Sequence, residues 1–261
     1  MHPTQYPDVN SVLETLLSNV RGILGDGFVG LYLYGSLSSG DFDPDRSDVD
    51  FVVVTTQQVS GQAFCALDKM HARLAADGSK WFRKLEGAYI PQRSIARYDP
   101  SDLPHPFLNE GVFRFEHLGS DWIIQRFIIR EQGRVVAGPD PKTLIDPIQS
   151  EDLTKAVRGV LREWWVPQLE DASLFRRRDY QAYAVLTMCR ALYTIQHCTV
   201  ASKPVSAEWA GKTVGEPWRP LIERAASWRQ DDGVNDLDDT LAFIRYALRQ
   251  ILGEEIGVHR W

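Results

Sequence analysis

Val9, Val12, Leu13, Leu16, Leu17, Val20 and Leu24 recur at i/i+3/i+4 spacing, which predicts an amphipathic helix over 9–24. Gly25-Asp26-Gly27 ends it. The apolar run 28–34 then reads as a buried strand leading into Gly35-Ser36, and a Gly/Asp/Pro-rich stretch follows over 38–46. Positions 48–54, with four β-branched valines, predict a second strand, 61–77 a second helix, and 81–90 a third strand. In that third strand Lys84, Glu86 and Ala88 share one face, and Leu85 and Tyr89 the other. Residues 121–130 are apolar enough for a helix, and Val135-Val136-Ala137 lead to the Gly138-Pro139-Asp140-Pro141 turn. From residue 152 onward the periodicity is helical, over 152–165, 179–197, 217–228 and 237–252. The predicted class is therefore α+β, an N-terminal half of mixed sheet and helices over 1–150 followed by an all-α bundle over 151–261. The boundary falls within 140–155.

Composition narrows the class. The chain is 44% hydrophobic and 25% charged, as in an ordinary soluble domain, and 261 residues suffice for a sizeable core. No apolar run approaches the roughly 20 residues that cross a bilayer, and the N-terminus lacks a secretory pattern, so a cytoplasmic location is expected. Cys65, Cys189 and Cys198 lack metal-ligand spacing and are expected as buried free thiols. The six histidines show no ligand or triad spacing. A net charge of −6 argues against a partner held by its phosphate backbone, such as nucleic acid, and suits a cationic small molecule. A monomer is expected. Eight tryptophans leave some free to line a ligand pocket.

The chemistry concentrates at Gly35-Ser36 and Asp48-Val49-Asp50. Alternate strand residues share a face, so Asp48 and Asp50 project together, an oxygen-rich pair suited to Mg²⁺, which also takes water and substrate phosphate as ligands. Gly35 lets backbone approach a phosphate, and a chain turning helical after Ser36 would add donors. Glu86 is the candidate third carboxylate on a neighbouring strand. Asp43 and Asp45 read as turn formers. A lone Asp-x-Asp is most often a solvated turn; the order of strand, Gly-Ser, connector, Asp-x-Asp and β-branched strand is far more specific.

The segment LYLYGSLSSGDFDPDRSDVDFVVV resembles the signature of the polymerase-β-like nucleotidyltransferases. Within that superfamily the chain is similar to the aminoglycoside adenylyltransferases of the streptomycin/spectinomycin type. DWIIQRFIIREQGRVVAGP, LIDPIQSEDL and LTMCRALYTIQHCTVASKPVSAEWA extend the resemblance over most of the chain. It implies a polymerase-β-like domain followed by a helical domain. It further implies Asp48 and Asp50 as ligands of Mg²⁺ (two ions), Glu86 as general base, and Ser36 and Ser47 on the nucleotide phosphates. Asp121, Arg190 and Lys203 would complete the ATP site, with Trp228 near a nucleotide-contacting aromatic; read from the residues alone, Asp121 equally serves as an N-cap for a helix starting at Trp122. The acceptor region would offer Trp164, Trp165, Glu170, Asp171 and Asp179, beside an Arg176-Arg177-Arg178 run that a polycation site would not favour.

The implied reaction is Mg²⁺-dependent transfer of AMP from ATP to a hydroxyl of an aminoglycoside or aminocyclitol antibiotic, with release of pyrophosphate. The acceptor would lie in a cleft between the two domains. One alternative keeps the enzyme and changes the acceptor to another small molecule or a protein side chain. The other is a non-catalytic nucleotide-binding regulator or antitoxin-like module, disfavoured because Asp48, Asp50 and Glu86 are all present.

Overall fold

The computed structural model of the protein describes residues 2–229 and 235–253. It divides into two compact units, Met1–Ile148 and Gln149–Trp261. In the first, α1 (Pro7–Leu24) starts with a proline in its first turn beside Asp8, where the fixed φ and the negative charge both suit a helix N-terminus. Its buried stripe is Val9, Val12, Leu13, Leu16 and Val20. β1 (Phe28–Leu33), the single turn α2 (Ser36–Ser39), β2 (Val49–Thr55) and α3 (Gly61–Ala76) follow, the last capped by the Ser60 side chain, which accepts from the Ala63 N–H. Next come α4 (Lys80–Arg83), β3 (Leu85–Pro91), α5 (Gln92–Ala96), β4 (His105–Asn109), β5 (Val112–Glu116), α6 (Asp121–Gln132) and β6 (Arg134–Ala137).

The six strands form one mixed sheet in the order β5-β4-β3-β2-β1-β6. Only β2 and β3 pair in parallel, and α3 makes the crossover that a parallel pair requires. Leu31, Leu33, Val49, Phe51, Val53, Leu85 and Tyr89 belong to one buried core with Val9, Leu13 and Leu16 of α1 and Leu67 and Met70 of α3. The two-residue period of a strand sends their neighbours, including Tyr34, Asp50 and Glu86, to the opposite face.

Four expectations are corrected. Residues 80–83 are a helical turn, not the start of the third strand, because Ser79 caps the Trp81 N–H and both Trp81 and Phe82 are buried, which a strand's alternation would forbid. The segment 105–116, assigned no element from the sequence, is a hairpin whose turn uses positive φ at Glu110 (49°) and Gly111 (76°). Val135 and Val136 are in β6, which pairs with β1 and does not merely lead to a turn. Cys189 is buried, but Cys65 and Cys198 are exposed.

The second unit is helical: α7 (Ser150–Val160), a π-helical turn (Leu161–Trp165), α8 (Val166–Gln168), α9 (Arg178–His197), α10 (Lys203–Thr213), α11 (Arg219–Ser227) and α12 (Leu237–Leu252). The central α9 packs against α7, α10, α11 and α12. The expected single helix over 152–165 therefore changes winding at Leu161. α10 had no counterpart in the hydrophobic pattern; it is started by the Ser202 side chain, which accepts from the Val205 N–H, and by Pro204 in its first turn. Trp165, 2% exposed, stacks on Phe175 and Tyr183 at centroid distances of 6.3 and 6.0 Å. Trp165→Ala is expected to destabilise this unit by about 3–5 kcal/mol in urea denaturation, as truncation of a buried aromatic does; a loss below about 1 kcal/mol would show that the ring is not core. No helix among the described residues is long and apolar enough to cross a membrane.

Candidate active site

The site begins where β1 stops. Gly35 adopts φ 62°, a left-handed conformation that glycine tolerates, and α2 starts at Ser36. The Gly35 carbonyl accepts from the backbone N–H groups of Ser38 and Ser39 at 3.2 and 3.1 Å, and from both their hydroxyls at 2.9 and 3.0 Å. A Cβ at Gly35 would stand 2.0 Å from Asp50 Oδ2, so the missing side chain is the space the carboxylate occupies.

Asp50 lies in β2 opposite Glu86 of β3 in the parallel register. On its other side, the Tyr34 N–H donates to the Asp50 carbonyl at 3.2 Å, one step beyond the Leu33–Phe51 pair. Tyr34, Asp50 and Glu86 thus form a row across three adjacent strands on the face away from the core. Asp48 precedes the strand and is exposed. Ser47 is held in the 43–47 turn: its hydroxyl accepts from the Asp43 N–H at 3.0 Å, and its carbonyl accepts from Lys84 Nζ at 3.1 Å. Asp43 builds that turn, accepting from the Asp45 N–H at 3.0 Å and from Arg46 Nε at 2.8 Å.

α6 brings the next carboxylate. Asp121 is the first residue of this helix, with Ser120 at the cap position, so its place is inside the first turn and not at the cap. Arg126, 4% exposed, fixes the helix by donating to the Ile95 carbonyl at 2.8 Å and to the Ala96 carbonyl; burial lowers its pKa to about 10. Trp122 meets the Tyr34 ring edge-on at 6.4 Å. The Tyr34 phenol is pushed well above its ordinary value of 10, first by burial and then by the negative charges of Asp50, Glu86 and Asp121. Carboxylates from β2, β3 and α6 therefore converge on one buried point.

The donors there are all oxygens, the chemistry that Mg²⁺ selects. Among the described residues no group of three or more His, Cys, Asp or Glu side chains is arranged to hold a metal on its own. The aspartate pair thus fits a Mg²⁺ that takes its remaining ligands from phosphate and water.

In the helical unit, Arg190 lies on α9 and Lys203 opens α10. Lys203 Nζ sits 5.1 Å over the Tyr183 ring, and Tyr183 and Arg190, seven residues apart, share a helix face about two turns long. Trp228 caps α11 and lines a cavity of about 220 Å³ with Arg178, Gln181, Arg224, Asp236 and Thr240. The α9 wall of that cavity is on the far side of the helix from Tyr183 and Arg190, so Arg190 and Lys203 are grouped and Trp228 stands apart. The acceptor candidates are not gathered. Trp165 is core, Trp164 is 46% exposed and Glu170 is exposed. Asp171 caps the turn at 172–176 by accepting from the Ser173 N–H. Asp179 pairs with Arg177 at 2.6 Å, whose hydrogen bond holds its carboxyl below the usual range.

Comparison with known proteins decides the family. Residues 17–89 match the family described as a nucleotidyltransferase domain, and residues 143–253 match the C-terminal domain of aminoglycoside adenylyltransferases. The chain belongs to the aminoglycoside adenylyltransferase family. Aminoglycoside (3'') (9) adenylyltransferase of Klebsiella pneumoniae is 27% identical over 257 residues, covering 92% of this chain and 95% of that one. Spectinomycin 9-adenylyltransferase of Campylobacter jejuni is 24% identical over 262 residues, covering 95% of each. The crystal structure of the spectinomycin adenyltransferase from Enterococcus faecialis, solved with ATP and spectinomycin, shares the fold. Its TM-score is 0.73 at 17% identity, over 93% of this chain and 98% of that one. The protein is accordingly an enzyme of the nucleotidyltransferase class.

Sequence reasoning missed Tyr34, Lys84 and Tyr183. The first was within reach: extending the Leu31/Leu33 alternation by one step puts Tyr34 on the carboxylate face. The other two act through backbone and ring contacts that carry no spacing signal.

Proposed function

We propose that the protein transfers AMP from ATP to a hydroxyl of an aminoglycoside or aminocyclitol antibiotic, releasing pyrophosphate. The observation that carries this reading is the Asp50–Glu86 register pair, seated in the space left by Gly35. The names of the relatives supply the acceptor class.

In this reading Asp48 and Asp50 hold Mg²⁺, which neutralises charge on the triphosphate when bound. Glu86 accepts the proton of the acceptor hydroxyl. The hydroxyl oxygen bonds to the α-phosphorus as the bond from that phosphorus to the bridging oxygen breaks, and pyrophosphate carries that electron pair away. Ser36 and Ser47 bind phosphate oxygens, Asp121 orients the nucleotide, and Arg190 and Lys203 bind the triphosphate as fork and point charges. Most of the rate then comes from placing these groups before reaction. Lys203→Ala is expected to raise the KM for ATP about 10- to 100-fold, the worth of a hydrogen bond to a charged group, in steady-state assays at saturating acceptor; an unchanged KM would remove Lys203 from the nucleotide site.

A screen for pyrophosphate release from ATP and Mg²⁺ across streptomycin, spectinomycin and other aminoglycosides tests the acceptor. Turnover with one of them supports the assignment, and none with any sinks it. A second reading keeps the reaction and changes the acceptor. It is favoured by the local engagement of Asp171 and Asp179, two acids that a polycation would otherwise use. An AMP adduct on a protein or a different metabolite, found by mass spectrometry, would select it.

A further inference from the structure

The row that carries Asp50 and Glu86 has a third member. Tyr34 follows β1 with its backbone N–H bonded to the Asp50 carbonyl, and its side chain belongs to the same sheet face as Asp50 and Glu86. Side chains opposite one another on adjacent strands stand about 4.5–5.5 Å apart at Cβ. The ring is 5% exposed and is held from the other side by Trp122, the residue after Asp121.

A phenylalanine would fill this space equally well. A buried hydroxyl is costly unless it is hydrogen-bonded, and the groups facing this one are carboxylates, which when ionised only accept. We propose that Tyr34 is a positioning residue whose neutral phenol O–H donates to the Asp50–Glu86 carboxylate pair and fixes its orientation for metal and acceptor. The inference rests on the nucleotidyltransferase reading of that pair. With the hydroxyl in place, one fixed donor offsets repulsion between acids crowded on a single face, and the Asp50 carboxylate keeps one rotamer in the space above Gly35. Outer groups of this kind typically change metal affinity or activity about 10- to 100-fold when removed.

Tyr34→Phe tests this, because it keeps the ring against Trp122 and removes only the oxygen. The first readout is Mn²⁺ binding to the nucleotide-free protein, followed by the loss of free-ion signal in electron paramagnetic resonance. The expected result is an affinity about 10- to 100-fold weaker than wild type, with the thermal midpoint unchanged or raised. The second is kinetic: kcat falls about 10- to 100-fold while the KM for ATP stays within about threefold. Tyr34→Leu, which also removes the ring, should lower the thermal midpoint and separates packing from positioning. Wild-type Mn²⁺ affinity and kcat in Tyr34→Phe would overturn the proposal. So would a kcat loss seen only alongside an equal loss of thermal stability. Weakened Mn²⁺ binding in a protein that adenylylates no antibiotic would leave the positioning role standing and reject the acceptor alone.

Discussion

Glu86→Gln is expected to lower kcat by about 10²- to 10⁴-fold, the usual worth of a positioned general base, with the KM for ATP nearly unchanged. The side chain is half-buried in β3, directly opposite Asp50, and the substitution preserves its size, so the sheet should keep its register and stability. What disappears is the only group in the row that the mechanism asks to take a proton. Single-turnover measurement at saturating ATP and acceptor isolates the chemical step. A Glu86→Gln enzyme within about threefold of wild type would reassign the base, and Asp121, the remaining acid that faces Tyr34, would be the next residue to test.

Gly35→Ala is expected to damage both fold and chemistry. The new methyl would meet Asp50 Oδ2 at 2.0 Å, well inside contact distance, while the backbone at φ 62° disfavours any side chain. Relief by rotating Asp50 away removes the carboxylate from the metal; relief by moving the backbone disturbs the Gly35 carbonyl, which anchors Ser38 and Ser39. Stability should fall by roughly 1–2 kcal/mol, the cost of a non-glycine residue in left-handed geometry, and activity by about 10²-fold or more, as expected when a metal-binding carboxylate is misplaced. Urea denaturation and turnover measured on the same preparation check both. Full activity with unchanged stability would mean that the close approach of Gly35 to Asp50 is not required. Comparison with Asp50→Ala distinguishes the two effects, since that variant should lose turnover with little loss of stability.

Much of this was legible because burial leaves a periodic trace. α1, α9 and α12 show it as apolar stripes, and β1 and β2 as continuous runs covered on both faces. α10 left none: its buried positions are Ser206, Ala207 and Ala210, small residues that do not register as an apolar face. The hairpin at 105–116 was obscured for a similar reason, because β5 is an edge strand that leaves Val112 and Phe115 exposed and carries Arg114 and Glu116. Trp81 and Phe82 looked like strand residues until Ser79 capped them into a turn. At the site, Gly35, Ser36, Asp48 and Asp50 were visible as a motif, since their chemistry depends on neighbours in sequence. Tyr34 joins them only through register, and Asp121 only through the anchoring of α6 by Arg126, which depends on three-dimensional packing. The acceptor residues were the least legible, because Asp171 and Asp179 are engaged by Ser173 and Arg177, pairings that a count of acids does not reveal.

The most direct test of the central claim is mass spectrometry of an antibiotic incubated with the protein, ATP and Mg²⁺, with pyrophosphate measured in the same tube. The account predicts one AMP added to a hydroxyl of the antibiotic for each pyrophosphate released, and no adduct with the Asp50→Ala protein. An unmodified antibiotic across the whole aminoglycoside and aminocyclitol panel, or an adduct formed equally well by Asp50→Ala, would contradict it.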